Sequence, residues 1–280
     1  MGRSDPVARG RHLSVATGGR WRATHTPDGP GTIHLRADGQ ADAWGPGADW
    51  LMARVPAMTG ALDDPTGFDP SPHPLVAELA RQLPNRIRLP RTERVFDTLV
   101  RSILEQKVTG FAARRSWAGL LRIAGDRAPG PRPLRCAPTP ERLLDLPTHV
   151  FHRLGVERKR AETIHRCAAV APRLEEAVGL GIDVLDQRLL SIAGVGVWTS
   201  ATVRLAAMGD PDAVRVGDYH LKNTVAFALA GEPRGDDERM VELLEPFRGH
   251  RARVVRLIES AGITAPRRGP RLAPMPIASL

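Results

Sequence analysis

Apolar residues recur at helical spacing through the middle and end of this 280-residue chain, and alternate with polar ones only near its start. From Thr32 to Trp44 the run TIHLRADGQADAW alternates around an Asp38-Gly39 pair, which predicts a small hairpin. Residues 59–75 are rich in Gly, Pro and Asp and read as a linker. Between Arg94 and Leu121, the residues Val95, Leu99, Ile103 and Leu104, then Phe111, Ala112 and Trp117, follow the pattern of buried helices. Residues 125–140 form a proline-rich loop, after which Thr139 and Pro140 mark a helix start, one as cap and the other as first helical residue. Further helices are predicted over 157–178, 183–191, 197–208, 218–230, 236–245 and 249–261. Residues 1–30 are rich in Gly, Arg and Pro and are expected to begin without fixed structure. The expected fold is mostly α with a short β-containing N-terminal appendage. The expected division is an appendage and linker at 1–74, a helical domain at 75–265 and a flexible basic tail at 266–280.

Charge adds a second pattern. The chain carries 40 Lys+Arg against 31 Asp+Glu, a formal net charge of +9. Residues 31–80 are acidic overall, so the helical part from 81 onward holds a net charge of +11. That balance fits a polyanionic partner such as nucleic acid, whose counterions are released on binding, or a generally basic surface. Only Lys107, Lys159 and Lys222 are lysines. Two cysteines, Cys136 and Cys167, cannot build a disulfide framework or a four-cysteine iron–sulfur site. No P-loop, no G-x-G-x-x-G and no paired-histidine metal motif is present. No apolar run approaches the length of a membrane span, so a soluble intracellular protein is expected.

The most informative stretch is Leu189-Leu190-Ser191-Ile192-Ala193-Gly194-Val195-Gly196-Val197-Trp198-Thr199-Ser200-Ala201. It reads as two helices joined by a G-V-G turn, with the second helix starting at the turn. Such a turn leaves backbone N–H groups open at a helix N-terminus, where a phosphate can bind without its sequence being read. It is equally the form of an ordinary αα-hairpin. About 20 residues on, Val216-Gly217-Asp218-Tyr219 places an aspartate at an expected helix start, where a plain N-cap is its commonest role. The two features at this spacing raise a functional reading of both.

These residues resemble the helix-hairpin-helix DNA glycosylases, nearest to bacterial 3-methyladenine DNA glycosylase II. Val95 to Val108 looks like that family's early helix ending in a glutamine, here Gln106, and Leu154-Gly155 with Lys159-Arg160-Ala161-Glu162 looks like the approach to its middle helix. The resemblance covers about residues 75–263. It implies two helical subdomains flanking a cleft, double-stranded DNA containing damaged bases as partner, a monomer, and a bacterial cytoplasmic location at the nucleoid. It implies a flipped nucleotide whose glycosidic bond is hydrolysed, with Asp218 stabilising the oxocarbenium-like sugar. Gly194, Val195, Gly196, Trp198 and Thr199 would hold a phosphate, and Gln106, Trp198 and Tyr219 would line the base pocket. Trp198 stands where strand-nicking members carry a Schiff-base lysine, so a monofunctional enzyme acting on 3-methyladenine- and 7-alkylguanine-type lesions is implied. No cofactor and no iron–sulfur cluster is expected, and the hairpin has room for a monovalent cation. Thr202 and Ile258 fall where the related pocket is aromatic, so bulkier N-alkyl adducts are an alternative substrate. A non-catalytic DNA-binding module and a protein-interaction scaffold are the competing functions.

Overall fold

The computed structural model describes residues 19–266. The expected tail from 267 onward and the first 18 residues lie outside them. The chain divides into two compact units, the first ending at Val55 and including Asp126–Ala137, the second holding Pro56–Gly125 and the residues from Pro138 onward.

The first unit is an antiparallel sheet in the order β1 (Arg20–Thr26), β2 (Gly29–Leu35), β3 (Ala41–Trp44), followed by helix α1 (Ala48–Ala53). The hairpin expected at 32–44 is therefore the second half of a three-stranded sheet. Strand β1 comes from the segment expected to start without fixed structure. Its pairing partner, β2, lies downstream, and nothing in its Arg-rich sequence announces that pairing. The Asp38-Gly39 turn forms, with the Gln40 N–H donating to Asp38 Oδ1 at 3.0 Å. On the sheet Trp21 stacks on His34 at 4.2 Å and on Trp44 at 5.3 Å, and Arg132 from the proline-rich loop lies 5.1 Å from the Trp21 ring.

The second unit is helical. Its helices are α2 (Val55–Thr59), α3 (Pro74–Gln82), α4 (Pro84–Ile87), α5 (Phe96–Glu105), α6 (Gly110–Ala124), α7 (Pro140–Leu144), α8 (Thr148–Arg153) and α9 (Arg158–Ala169). They continue with α10 (Ala171–Glu176), α11 (Ile182–Leu190), α12 (Val197–Met208), α13 (Leu221–Ala230), α14 (Asp237–Leu244) and α15 (Arg251–Ser260). The expected helix 157–178 is broken at Val170, because Pro172 has no N–H to continue the ladder and sits instead in the first turn of α10. The predicted cap at α7 is present, with Thr139 Oγ1 accepting from Arg142 N at 3.3 Å. Phe111, expected inside, sits in the first turn of α6 and is 57% exposed.

Two separate apolar cores organise this unit. One gathers Val95, Leu99 and Ile103 of α5 with Leu120, Phe151, Ile164, Leu185, Leu189 and Val203. The other gathers Val76 and Leu79 of α3 with Leu221, Val225, Met240, Leu244, Val254 and Leu257. Each fully buried Leu, Ile or Val contributes about 1.5–3 kcal/mol, so both cores are substantial. The α12–α13 connection, residues 209–220, passes from the first core to the second and carries Asp218. Beside the second core Arg253 is 1% exposed, and each of its five N–H donors has a partner. Those partners are the Asp63 carboxylate, the Ile87 and Asp64 carbonyls and His250 Nδ1.

Candidate functional site

Helices α11 and α12 form the two arms of the hairpin, and polar bonds tie them together. Ser200 Oγ on α12 donates to Asp186 Oδ1 on α11 at 2.5 Å. Arg204 bridges Asp186 at 3.1 Å and also pairs with Asp210. The turn itself is held from outside. Arg166 Nε donates to Ala193 O at 3.0 Å, and Gln106 Nε2 donates to Gly194 O at 3.1 Å and to Thr199 Oγ1 at 2.9 Å. The Ala193 and Gly194 carbonyls thus each accept from a side chain outside the turn.

The two glycines of the turn differ in what they do. Gly194 has φ +97, and a Cβ there would meet Thr163 Oγ1 at 2.1 Å, so the close approach of the turn to α9 demands glycine. Gly196 has ordinary φ of −103, and a Cβ there would meet nothing within 4 Å. Local geometry therefore does not require glycine at 196. What that residue leaves is open space over the N-terminus of α12, where the first turn has no side-chain cap. Uncapped N–H groups, a positive dipole end and clear space together suit an anion. Thr199 is 2% exposed, and its hydroxyl accepts from Gln106 Nε2.

Asp218 lies in the turn before α13, three residues ahead of the expected helix start's first true helical residue, Leu221. Its Oδ1 accepts from the N–H groups of His220 at 2.9 Å and Leu221 at 3.0 Å. Its Oδ2 accepts from the Trp198 indole Nε1 at 3.2 Å. Burial pushes this carboxyl up, but the Leu221 and His220 N–H groups, Arg215 and the Trp198 indole together hold it below its ordinary value of 3.8. The result is a half-buried carboxylate kept ionised, with one oxygen fixed by backbone and the other by an indole.

The site therefore brings together the hairpin, Trp198, Gln106 and Asp218. Gln106, expected in a base pocket, uses its amide N–H groups to hold the hairpin. Trp198 presents its ring edge to Asp218. Tyr219 is 80% exposed, and its ring lies edge-on to His220 at 4.9 Å. Thr202 donates to Trp198 O at 2.8 Å, and Ile258 is fully buried in the second core. Sequence reasoning missed Glu105, the last residue of α5, which lies within electrostatic reach of Asp218 and Arg215. Its position beside Gln106 was the available signal. The thiol of Cys167 is pushed up to about 12 by burial and is chemically quiet. Among the described residues no group of three or more His, Cys, Asp or Glu could hold a metal, and no helix is long and apolar enough to cross a membrane.

No family model matches the chain. It is 30% identical over 168 residues to a probable bifunctional transcriptional activator/DNA repair enzyme AlkA of Mycobacterium tuberculosis, a match covering 58% of this chain and 32% of that protein. The chain thus spans about a third of the length of the curated relatives it matches first. It is 22% identical over 174 residues to DNA-3-methyladenine glycosylase 1 of Schizosaccharomyces pombe, covering 60% of this chain and 72% of that one. Its fold is similar to a 3-methyladenine DNA glycosylase structure from Archaeoglobus fulgidus, with a TM-score of 0.72 and 19% identity over 89% of this chain and 88% of that one. The chain resembles the helix-hairpin-helix DNA glycosylase superfamily in sequence and has that superfamily's fold.

Proposed function

We propose that the chain is a monofunctional DNA glycosylase that releases alkylated purines from double-stranded DNA. The observation that carries the reading is Asp218, an ionised carboxylate held by backbone N–H groups and by an indole that grows from the phosphate-suited hairpin helix. A phosphate at the N-terminus of α12 would accept from the N–H groups of Val197, Trp198 and Thr199, in the space that Gly196 leaves open. Binding there fixes the backbone beside a nucleotide flipped out of the stack. The C1′–N bond then breaks with its electron pair leaving on the base. Positive charge grows on the sugar, and Asp218 stabilises it in a site where it is already ionised. Water adds its oxygen to C1′, its proton is released, and the products are a free base and an abasic strand.

The monofunctional part rests on Trp198 standing where the resemblance puts a lysine in strand-nicking relatives. Lys107 is the lysine nearest in the chain to Gln106 and is the one a trapping experiment should examine. A second reading has its own observation: Asp218 Oδ1 makes both cap bonds, the whole task of an N-cap in a non-catalytic DNA-binding module.

The test is base release from duplex DNA carrying 7-methylguanine, by the wild-type chain and Asp218→Asn, with strand cleavage and borohydride trapping read in parallel. Release by the wild type alone, with an intact strand and no trapped adduct, is expected. Equal release by both proteins removes the catalytic assignment, and DNA binding without release by either establishes the binding module. A covalent adduct overturns the monofunctional reading.

A further inference from the structure

Glu105 breaks a local rule. It is the last residue of α5, where the negative end of the helix dipole disfavours a carboxylate and a basic residue would be expected. Among the described residues its carboxylate has no hydrogen-bond or ion-pair partner, although Arg101, Arg114 and Arg215 lie within electrostatic reach. Arg101 lies 5.7 Å from the Trp117 ring centroid, and Arg215 is bonded to Glu259 at 2.5 Å. The residue is exposed, yet it shares the electrostatic surroundings of a second carboxylate, Asp218. Its neighbour Gln106 is bonded to the hairpin, which fixes the end of α5 beside the Trp198–Asp218 pair. A carboxylate without a partner at the C-terminal end of a helix, next to a residue bonded to the hairpin that carries the Trp198–Asp218 bond, is a conflict that a folded chain tolerates where function requires it.

Aromatic residues make up only 4% of the chain, and the indole at this site is turned edge-on to Asp218. Recognition of a positive ring by stacking is correspondingly limited. Alkylation at N7 or N3 of a purine places a formal positive charge on the base, and an unpaired carboxylate attracts that charge. We propose that Glu105 is a specificity-determining residue that selects cationic alkylpurines for the site containing Asp218. This inference rests on the glycosylase reading above.

The test measures kcat/KM for 7-methylguanine duplex and Kd for a duplex carrying tetrahydrofuran, an abasic analogue with no base, in wild type, Glu105→Gln, Glu105→Asp and Asp218→Asn. Glu105→Gln should lower kcat/KM on the order of tenfold, Glu105→Asp should recover most of that loss, and the tetrahydrofuran Kd should not weaken. An unchanged kcat/KM in Glu105→Gln overturns the inference. So does a parallel weakening of kcat/KM and Kd, which is the signature of a structural role, and so does an Asp variant no better than Gln. If the wild type releases no more base than Asp218→Asn, the glycosylase reading itself falls, and this inference with it.

Discussion

The indole Nε1 of Trp198 donates to Asp218 Oδ2 at 3.2 Å, joining residues 20 positions apart. Trp198 belongs to the first turn of α12, whose helix packs on the first core, and Asp218 leads into α13, which packs on the second. The bond therefore fixes the carboxylate relative to the phosphate-suited turn. The two oxygens of Asp218 have separate tasks, and this separation makes its structural and chemical roles experimentally distinct.

Asp218→Asn keeps an oxygen for the His220 and Leu221 N–H groups but removes the charge. Its unfolding free energy in urea should stay within about 1 kcal/mol of wild type, while base release should fall on the order of 10²–10³-fold, the usual loss for an electrostatic stabiliser. Asp218→Ala should lose both activity and the cap, and unfold at lower urea. A stable Asn variant with full activity would count against the assignment.

The two hairpin glycines should respond in opposite ways. Gly194→Ala places a Cβ against Thr163 at a positive φ, so the thermal midpoint should drop measurably. Gly196→Ala meets no neighbour, so stability should change by less than about 0.5 kcal/mol. Its cost should appear in DNA binding, as a weaker Kd at fixed salt with the slope of log K against log salt unchanged, since a backbone N–H carries no charge that displaces a counterion.

Arg253→Met should be the severe core variant. It leaves Asp63, whose side chain is 9% exposed, without its cation and strands the Ile87 and Asp64 carbonyls. A loss of about 3–5 kcal/mol in urea unfolding is expected. Adding Asp63→Asn should recover part of it by removing the uncompensated charge.

The pH profile should carry two steps. Although Glu105 reaches solvent, partial desolvation raises its carboxyl above its ordinary 4.5, against the pull of Arg101 on its own helix, Arg215 and Arg114, with Asp218 adding to the rise. Asp218 is held below 3.8. On acidification Glu105 therefore protonates first, while Asp218 is still ionised. Release of 7-methylguanine should fall partially as pH passes the raised Glu105 value, then completely below the depressed Asp218 value. Glu105→Gln should show the second step alone. Trp198→Phe removes one donor that lowers Asp218 and should move that second step to higher pH. The stability that Asp218 supplies is present above 3.8 and is lost as pH falls through its lower folded value, so Asp218→Asn should lack this dependence.

Much of the helical body is legible in order and type. Val95, Leu99, Ile103 and Leu104 are buried as their spacing predicts, and Thr139 caps its helix as a Thr-Pro start should. Strand β1 is not legible, because a strand's stability lies in a partner that sequence periodicity does not name. The start of α5 is another case: its Val95 and Phe96 N–H groups donate to Glu175, some 80 residues away, with no local cap to signal the helix. Phe111 follows the apolar spacing yet faces solvent, since spacing reports a face without saying whether anything covers it.

Within the site, the sequence by itself determined the hairpin, its glycines, the aspartate and the absence of a lysine at 198, since these are short-range patterns of residue type and spacing. It grouped Gln106, Trp198 and Tyr219 as pocket residues. The tertiary structure separated them into a tether, a carboxylate donor and an exposed ring, and it brought Glu105 into reach of Asp218. Direction and long-range proximity are properties of packed helices, and only packing decides which oxygen meets which donor.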